Sequence, residues 1–185
     1  MGAANKLTAE LHGAPLVSLA ADAALASRAE PVLVVTGHAE NDVRRALADR
    51  PLVFVHNPDH ARGLSTSLRV GLSALGTGFD GALICLGDMP RVHAGHIDAV
   101  IEAFEASSEA PIIVPVHAGR RGNPVLWPAD CFDELARLTG DVGGRSLLDS
   151  LADRVRTVPV SDDGVLFDVD TEAELAAVAA RDLSR

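Results

Sequence analysis

Two hydrophobic patterns alternate along the 185-residue chain. Short apolar runs without polar alternation are separated by segments whose apolar residues recur at helical spacing. An unbroken apolar run is typical of a strand buried on both faces, as in a parallel sheet covered by helices. Such runs occupy residues 32–35, 52–55, 82–86, 112–116 and 125–127. Alternation of strands with helices predicts an α/β fold with a mostly parallel sheet.

Helical spacing predicts the intervening elements. Pro15 suits the first turn of a helix, and Leu16, Leu19, Ala20 and Ala23 then share one face. Further helices are expected over residues 39–48, 63–75 and 95–106, from Pro128 onward, up to residue 151, and after Thr171. A chain of 185 residues has the typical length of one domain, so we expect residues 1–185 to form a single domain.

Composition narrows the class of protein. Hydrophobic residues make up 48% of the chain and aromatic residues only 3%, which favours helices and parallel strands over an all-β sandwich. The net charge of −10 argues against a nucleic-acid-binding protein, which normally has a basic surface. The two cysteines are too few for a disulfide framework, and no stretch resembles a membrane span or a signal peptide. We therefore expect a cytoplasmic protein.

The run at 82–86 leads into the first candidate functional residue, Asp88. Gly87 ends the run, so Asp88 is expected at the carboxyl end of a strand, where open α/β sheets bind ligands. Pro90 disfavours an immediate helix, which leaves the carboxylate available to hold a cation. The alternative is a turn-forming aspartate whose partners lie in its own loop.

Two loops could bind an anion. Gly63-Leu64-Ser65-Thr66-Ser67 opens a helix, so its backbone N–H groups could face a phosphate, although helix capping is the better explanation of the hydroxyls when the loop is taken alone. Arg120 and Arg121 lie between glycines, and arginine is suited to bidentate phosphate contact. The alternative for the arginines is a solvated hairpin turn.

Two late carboxylates, Asp168 and Asp170, alternate with apolar residues. Alternation would place both on one side of an extended segment, which suggests either a divalent metal site or a site beside a strand end. Thr171 is a candidate N-cap, with Glu174 completing a capping box. The Asp-Val-Asp-Thr string also resembles the nucleophile motif of haloacid-dehalogenase-like phosphatases, but that motif should follow the first strand.

Taken in order, eight short motifs resemble those of the molybdenum cofactor nucleotidyltransferases, the cytidylyltransferase type and its purine-hydroxylase maturation relatives above all. They are Asn5-Lys6-Leu7, Thr36-Gly37-His38, Asn57-Pro58, Gly63-Leu64-Ser65-Thr66-Ser67-Leu68, Gly87-Asp88-Met89-Pro90, Gly119-Arg120-Arg121-Gly122-Asn123-Pro124-Val125, Gly140-Asp141 with Arg145, and Asp168-Val169-Asp170-Thr171. The resemblance implies a Rossmann-like, three-layer domain that joins CMP from CTP to the phosphate of molybdopterin and releases pyrophosphate.

The resemblance also implies residue roles. Lys6 would neutralise triphosphate charge, and Asp88 would hold catalytic Mg²⁺ together with Asp170 and Asp168. Mg²⁺ prefers hard oxygen ligands and usually bridges one or two carboxylates to substrate phosphates. Further residues would bind nucleotide or phosphate (Gly2, Gly87, Arg120, Arg121) or the pterin substrate (Ser65, Ser67, Asn123, Arg145). A molybdenum hydroxylase would be the recipient of the finished cofactor.

The beginning of the chain departs from the family pattern. Family members begin with a strand and a glycine-rich loop, and Met1-Gly2 corresponds to the last two residues of that loop. The first strand is therefore expected to be missing from this chain. Of two hypotheses, a longer native protein is favoured over a short form with weak or absent activity. The choice between CTP and GTP is read largely from that loop.

Other functions stay open from the sequence. A transferase for another nucleotide or phosphorylated acceptor would need the same residues. A non-catalytic carrier or chaperone would bind the cofactor without turnover. A dinucleotide-dependent dehydrogenase is disfavoured, because no Gly-x-Gly-x-x-Gly follows a strand.

Overall fold

The structure is a computed structural model that describes residues 5–141 and 143–182. Its helices are α1 (Leu16–Leu25), α2 (Glu40–Ala46), α3 (Leu64–Leu75), α4 (Ala94–Glu105), α5 (Phe132–Arg137), α6 (Arg145–Ser150) and α7 (Glu172–Asp182). Its strands are β1 (Glu10–Leu11), β2 (Ala14–Pro15), β3 (Leu33–Thr36), β4 (Val53–His56), β5 (Gly81–Ile84), β6 (Ile112–His117), β7 (Arg120–Arg121), β8 (Val125–Pro128) and β9 (Val155–Pro159).

The predicted α/β class is confirmed, with a central sheet that is mixed rather than mostly parallel. In this sheet β6 pairs with β9 in parallel, whereas β8 runs antiparallel between β5 and β6, and β7 runs antiparallel to β6. The strands β3 and β4 pair in parallel in a separate two-stranded sheet. A continuous apolar run identifies a buried strand but does not fix its direction relative to its neighbours. The prediction of strand direction therefore needed correction, while the strands themselves lie where the apolar runs are.

Alternate residues of the central strands contact helices on opposite faces of the sheet. Ile112, Val114 and Trp127 pack with residues of α3, α5 and α6. Ile113 and Leu126, which point the other way, pack with α4. Because the side chains of a strand alternate between its faces, one sheet supplies both halves of a three-layer core.

The strand β5 is less buried than the sequence predicts. All four of its residues are half-buried, and Cys85, expected inside the buried run, is exposed. Among the described residues β5 pairs only with β8, and β3 only with β4. One edge of each strand thus lacks a neighbour in the described part of the chain, which accounts for the exposure. The expectation of a further strand before Met1 stays a prediction.

The helix boundaries match the sequence patterns closely. Pro15, expected in the first turn of α1, is its N-cap, and the helix begins one residue later at Leu16. Thr171 and Glu174 form the predicted capping box, since the Glu174 backbone N–H donates to Thr171 Oγ1 and the Thr171 backbone N–H donates to Glu174 Oε2. No helix in residues 5–141 and 143–182 is long and apolar enough to span a membrane.

Candidate functional site

Asp88 lies in the loop that follows β5, as the sequence predicts. The next helix, α4, begins only at Ala94 with His93 as its N-cap, so Asp88 is not used as a helix cap. Its side chain is 18% exposed. The carboxylate thus stands at the end of a central strand, facing partners from elsewhere in the chain.

The 3₁₀ turn Lys6–Thr8 brings Lys6 to this strand end. Asn5 caps the turn, because its Oδ1 accepts from the Leu7 backbone N–H at 3.1 Å. Leu7 packs among residues of α1, α2 and β3. A Cβ at Gly87 would lie 3.3 Å from Leu7 Cδ2, so a glycine lets the two segments approach closely. This packing holds the Lys6 side chain beside Asp88.

Asp170 reaches the same place from the end of the chain. The Val169 backbone N–H donates to the Asp88 carbonyl at 2.9 Å, and the Val169 side chain is fully buried. The Asp170 backbone N–H donates to Glu174 Oε2 at 2.9 Å, and this hydrogen bond lowers the pKa of Glu174. The segment before α7 is therefore held at both sides of Asp170.

Lys6 Nζ joins the two carboxylates. It donates to Asp88 Oδ2 and to Asp170 Oδ1, each at 2.7 Å. Burial works against the lysine charge, but the hydrogen bonds to Asp170 and Asp88 outweigh it and raise the pKa of Lys6. The ammonium group is a stand-in cation, and its position shows that oxygen atoms from both aspartates can converge on one positive charge. This donor set fits Mg²⁺ or a similar hard divalent cation.

Asp168 does not join this cluster. Its side chain is exposed, and among the described residues it makes no hydrogen bond or ion pair. The predicted extended segment is interrupted, because Val165 and Leu166 lie in the 3₁₀ turn Asp163–Leu166. Alternation alone therefore could not select between the two late carboxylates.

The two predicted serines are used within the protein. Ser65 is 1% exposed, and its Oγ donates to the Gly140 carbonyl at 2.8 Å. Ser67 Oγ accepts from Asn57 Nδ2 at 3.0 Å. Gly63 has φ of +105°, and a side chain there would collide with the Gly140 backbone. The loop before α3 is thus fastened to the loop at Gly140, which favours the structural alternative for Ser65.

The predicted cationic residues are distributed over the surface. Arg120 and Arg121 form β7, which pairs with β6 across a tight turn at Ala118 and Gly119. Both side chains are exposed, and Arg121 lies 3.6 Å from Asp149. Arg145 is exposed at the start of α6. The structure thus contains the solvated hairpin that was the alternative to a phosphate site. Phosphate binding by these arginines stays a prediction.

Asn123 and Gly2 were predicted to bind the pterin substrate and the nucleotide, respectively. Asn123 precedes a cis peptide bond to Pro124, and its backbone N–H donates to the Val165 carbonyl at 2.9 Å. Asn123 and Pro124 line a small cavity together with Cys85 and Met89. Gly2 lies outside the described residues.

One cluster escaped the sequence analysis. His93, His96 and Asp162 bring their ligand atoms within 4.8 Å of one another. The His-x-x-His spacing at the start of a predicted helix was a usable signal. Asp162 could not have been found, because it is 66 positions from His96 and joins it only through the fold.

The chain is similar in sequence to a known family model and to characterised proteins. Residues 1–155 match the family model described as the MobA-like NTP transferase domain. The purine catabolism protein PucB of Bacillus subtilis (strain 168) is 32% identical over 184 residues, which cover 92% of this chain and 85% of PucB. The molybdenum cofactor cytidylyltransferase of Escherichia coli (strain K12) is 25% identical over 151 residues, which cover 81% of this chain and 74% of that protein.

A solved structure supports the same grouping. Rv0371c from Mycobacterium tuberculosis H37Rv superimposes with a TM-score of 0.83 at 26% identity, covering 96% of this chain and 90% of its own. A second structure of Rv0371c is a complex with manganese, with a TM-score of 0.79 over 96% of this chain and 93% of that chain.

Proposed function

Because this chain belongs to the family of MobA-like NTP transferase domains, and is thus a nucleotidyltransferase, we propose that it transfers CMP from CTP to the phosphate group of molybdopterin. The observation that carries the proposal is the convergence of Asp88 and Asp170 on the Lys6 ammonium at 2.7 Å each. The similarity to a molybdenum cofactor cytidylyltransferase supports this choice of nucleotide and acceptor.

The reaction exchanges one phosphate linkage for another. An oxygen of the molybdopterin phosphate attacks the α-phosphorus of CTP, and a new O–P bond forms. The bond between the α-phosphorus and the bridging β-phosphate oxygen breaks, and its electron pair leaves with pyrophosphate. No protein nucleophile is needed, so the protein contributes positioning and charge stabilisation.

Asp88 and Asp170 would hold Mg²⁺, which when bound supplies positive charge that neutralises the triphosphate. Lys6 would leave the two carboxylates and donate its hydrogen bonds to phosphate oxygens. Its side chain is one-third exposed, so its amino group can turn toward a ligand in the crevice. The ordinary pKa of a lysine lies well above 7, so Lys6 stays positively charged at neutral pH after it leaves the carboxylates, as this role requires.

We assign the recipient of the finished cofactor to the class of molybdenum hydroxylases. The relative PucB is named for purine catabolism, which favours a hydroxylase that acts on a purine. That relative is also the specific reason to keep a second candidate, namely the same nucleotidyl transfer with another nucleotide or another phosphorylated acceptor.

The test is pyrophosphate release by the purified chain with molybdopterin and each nucleoside triphosphate in turn. We expect release with CTP and Mg²⁺, and a loss of roughly 10³-fold in Asp88→Asn. Asp133→Asn, which removes a surface carboxylate of α5, is the matched control and should retain full activity. Release with GTP alone would establish the second candidate. Tight pterin binding without release from any nucleotide would indicate a carrier.

A further inference from the structure

Three side chains that the proposed transfer reaction does not use, namely His93, His96 and Asp162, lie together at the N-terminus of α4. His93 caps the helix and His96 follows within its first turn, so both imidazoles lie at the same helix end. Their rings stack with centroids 3.6 Å apart. Asp162, which precedes the 3₁₀ turn Asp163–Leu166, faces both rings.

Both imidazoles direct the same ring atom at one carboxylate. His93 Nε2 lies 3.3 Å from Asp162 Oδ2, and His96 Nε2 lies 3.3 Å from Asp162 Oδ1. In a tetrahedral site with metal–ligand bonds near 2.0–2.1 Å, neighbouring ligand atoms stand about 3.4 Å apart. Each nitrogen therefore already stands about one ligand–ligand distance from a carboxylate oxygen, with the two nitrogens facing different oxygens of Asp162.

The burial of His96 is a second, independent observation. Its side chain is 2% exposed, and its Nε2 makes no aligned hydrogen bond in the described part of the chain despite its closeness to Asp162. Buried polar atoms are almost always satisfied, and one without an aligned partner is explained by a bound ion, an ordered water or a functional role. Here the orphaned atom is directed at the carboxylate that completes the cluster.

We propose that His93, His96 and Asp162 form a binding site for a borderline transition metal, with Zn²⁺ the best fit, separate in its ligands from the Asp88–Asp170 pair. Two imidazole nitrogens and one carboxylate oxygen suit Zn²⁺, whereas Mg²⁺ prefers oxygen ligands throughout. Three protein ligands leave a fourth position for water or for a group brought by a partner.

Metal binding would also adjust the histidine pair. In a tetrahedral site the two ring centroids would stand about 5 Å apart, so the stacked rings must separate. The side chain of His93 is 55% exposed and has room to move. The long contact of 3.4 Å from the His93 backbone N–H to His96 Nδ1 would be given up, because Nδ1 of a neutral imidazole carries the proton when Nε2 is a ligand.

The position of the cluster indicates a structural role for the metal. It would join the start of α4, shortly after Asp88, to the loop that leads to Asp170. The ion pair of Arg91 with Asp163, at 2.8 Å, links the same two segments. A metal would thus brace the two loops that supply the carboxylates of the transferase site.

The test is a Zn²⁺ titration of the full chain after removal of metals with a chelator, followed by calorimetry with Mg²⁺ in excess. We expect one Zn²⁺ per chain and a rise in the melting temperature, with affinity weakened roughly 100-fold in both His93→Gln and Asp162→Asn. His93 is exposed, so its variant should remain folded. His56→Gln, another half-exposed histidine beside a carboxylate (Glu40), is the matched control and should bind Zn²⁺ unchanged.

Absorbance spectra of the Co²⁺-loaded protein give a second readout, because tetrahedral nitrogen and oxygen ligands produce visible bands that solvated Co²⁺ lacks. Equal Zn²⁺ affinity in His93→Gln and the unmodified chain would overturn the proposal and leave a hydrogen-bonded histidine–aspartate cluster. Loss of Zn²⁺ binding in Asp88→Asn with retention in Asp162→Asn would also overturn it, by placing the ion at the other carboxylates.

Discussion

Lys6 and Asp170 are 164 positions apart in the sequence, yet Lys6 Nζ donates to Asp170 Oδ1 at 2.7 Å. The same ammonium group donates to Asp88 Oδ2, so one lysine contacts both carboxylates that we assign to the metal site and offsets one of their two negative charges. The lysine and a divalent cation therefore compete for the same oxygen atoms in the absence of nucleotide.

That competition predicts opposite effects of Lys6→Met on metal binding and on turnover. Without the ammonium charge, Mn²⁺ should bind the nucleotide-free protein more tightly, because both carboxylates lose their internal cation. Nucleotidyl transfer should fall roughly 10²-fold, because the triphosphate loses a charged hydrogen-bond donor. Manganese titration and pyrophosphate release measure the two effects, and weaker metal binding in the variant would contradict the assignment.

A matched pair of variants can distinguish the roles of Asp168 and Asp170. Asp170→Asn should reduce nucleotidyl transfer by roughly 10–100-fold, because Asp170 contacts the cation position. Asp168→Asn changes the charge equally two residues away and should have little effect, because Asp168 is exposed and has no partner among the described residues. Steady-state rates with Mg²⁺ decide the matter, and the reverse order of effects would show that Asp168 is the ligand.

Asn57 predicts a stability effect that is independent of catalysis. It is fully buried, and its Nδ2 donates to Thr66 Oγ1 at 2.8 Å and to Ser67 Oγ at 3.0 Å. Asn57→Ala leaves these hydroxyls without their donor and should lower the free energy of unfolding by about 1–3 kcal/mol. Urea denaturation measures the change. Ser67→Ala removes only one of the two contacts and should cost less, so an equal or larger loss would argue against this network.

The ion pair of Asp22 with Arg50 predicts a pH-dependent contribution to stability. Arg50 Nε and Nη2 donate to Asp22 Oδ1 and Oδ2 at 2.6 and 2.8 Å, and these bonds lower the pKa of Asp22. A carboxylate with a lowered pKa in the folded state stabilises the protein above its ordinary pKa. That contribution is lost as the pH falls through the folded-state value.

Asp22→Asn should therefore cost about 0.2–1 kcal/mol at neutral pH and nothing in acid, below the folded-state pKa. Urea denaturation at both pH values measures the difference, with Asp153→Asn, which changes an exposed aspartate of the 3₁₀ turn Ala152–Arg154, as the control. A cost for Asp22→Asn that stays constant from neutral to acid pH would show that the charge of Asp22 is not responsible.

Local patterns were sufficient for most elements of the fold. The strand before Asp88, the capping box at Thr171 and the helix that follows Pro15 all form where their residues predict. The strand β9 was missed, because its five residues include the polar side chains Arg156 and Thr157 and end in Pro159. Its assignment comes from pairing with β6, which is a contact between distant segments.

The candidate site was predictable only in part, because local patterns identify a residue at the end of a strand but not its contacts with distant segments. Asp88 follows from the end of an apolar run, whereas the roles of Lys6 and Asp170 rested on resemblance to a family. Ser65 was a candidate for anion binding from its glycine-rich and hydroxyl-rich loop and for pterin binding from the resemblance, but its hydroxyl donates to the carbonyl of Gly140. Distant hydrogen-bond partners decide which polar groups of a loop remain free to bind a ligand. The spacing of residues in the sequence does not reveal those partners.

We propose that Asp88 and Asp170 hold the divalent cation that accompanies the nucleotide. The most direct test is the thermal stabilisation of the chain by CTP, measured with and without Mg²⁺, in the unmodified protein and in Asp88→Asn. We expect stabilisation that requires Mg²⁺ and disappears in Asp88→Asn. Equal stabilisation of the variant, or stabilisation that does not depend on Mg²⁺, would contradict it.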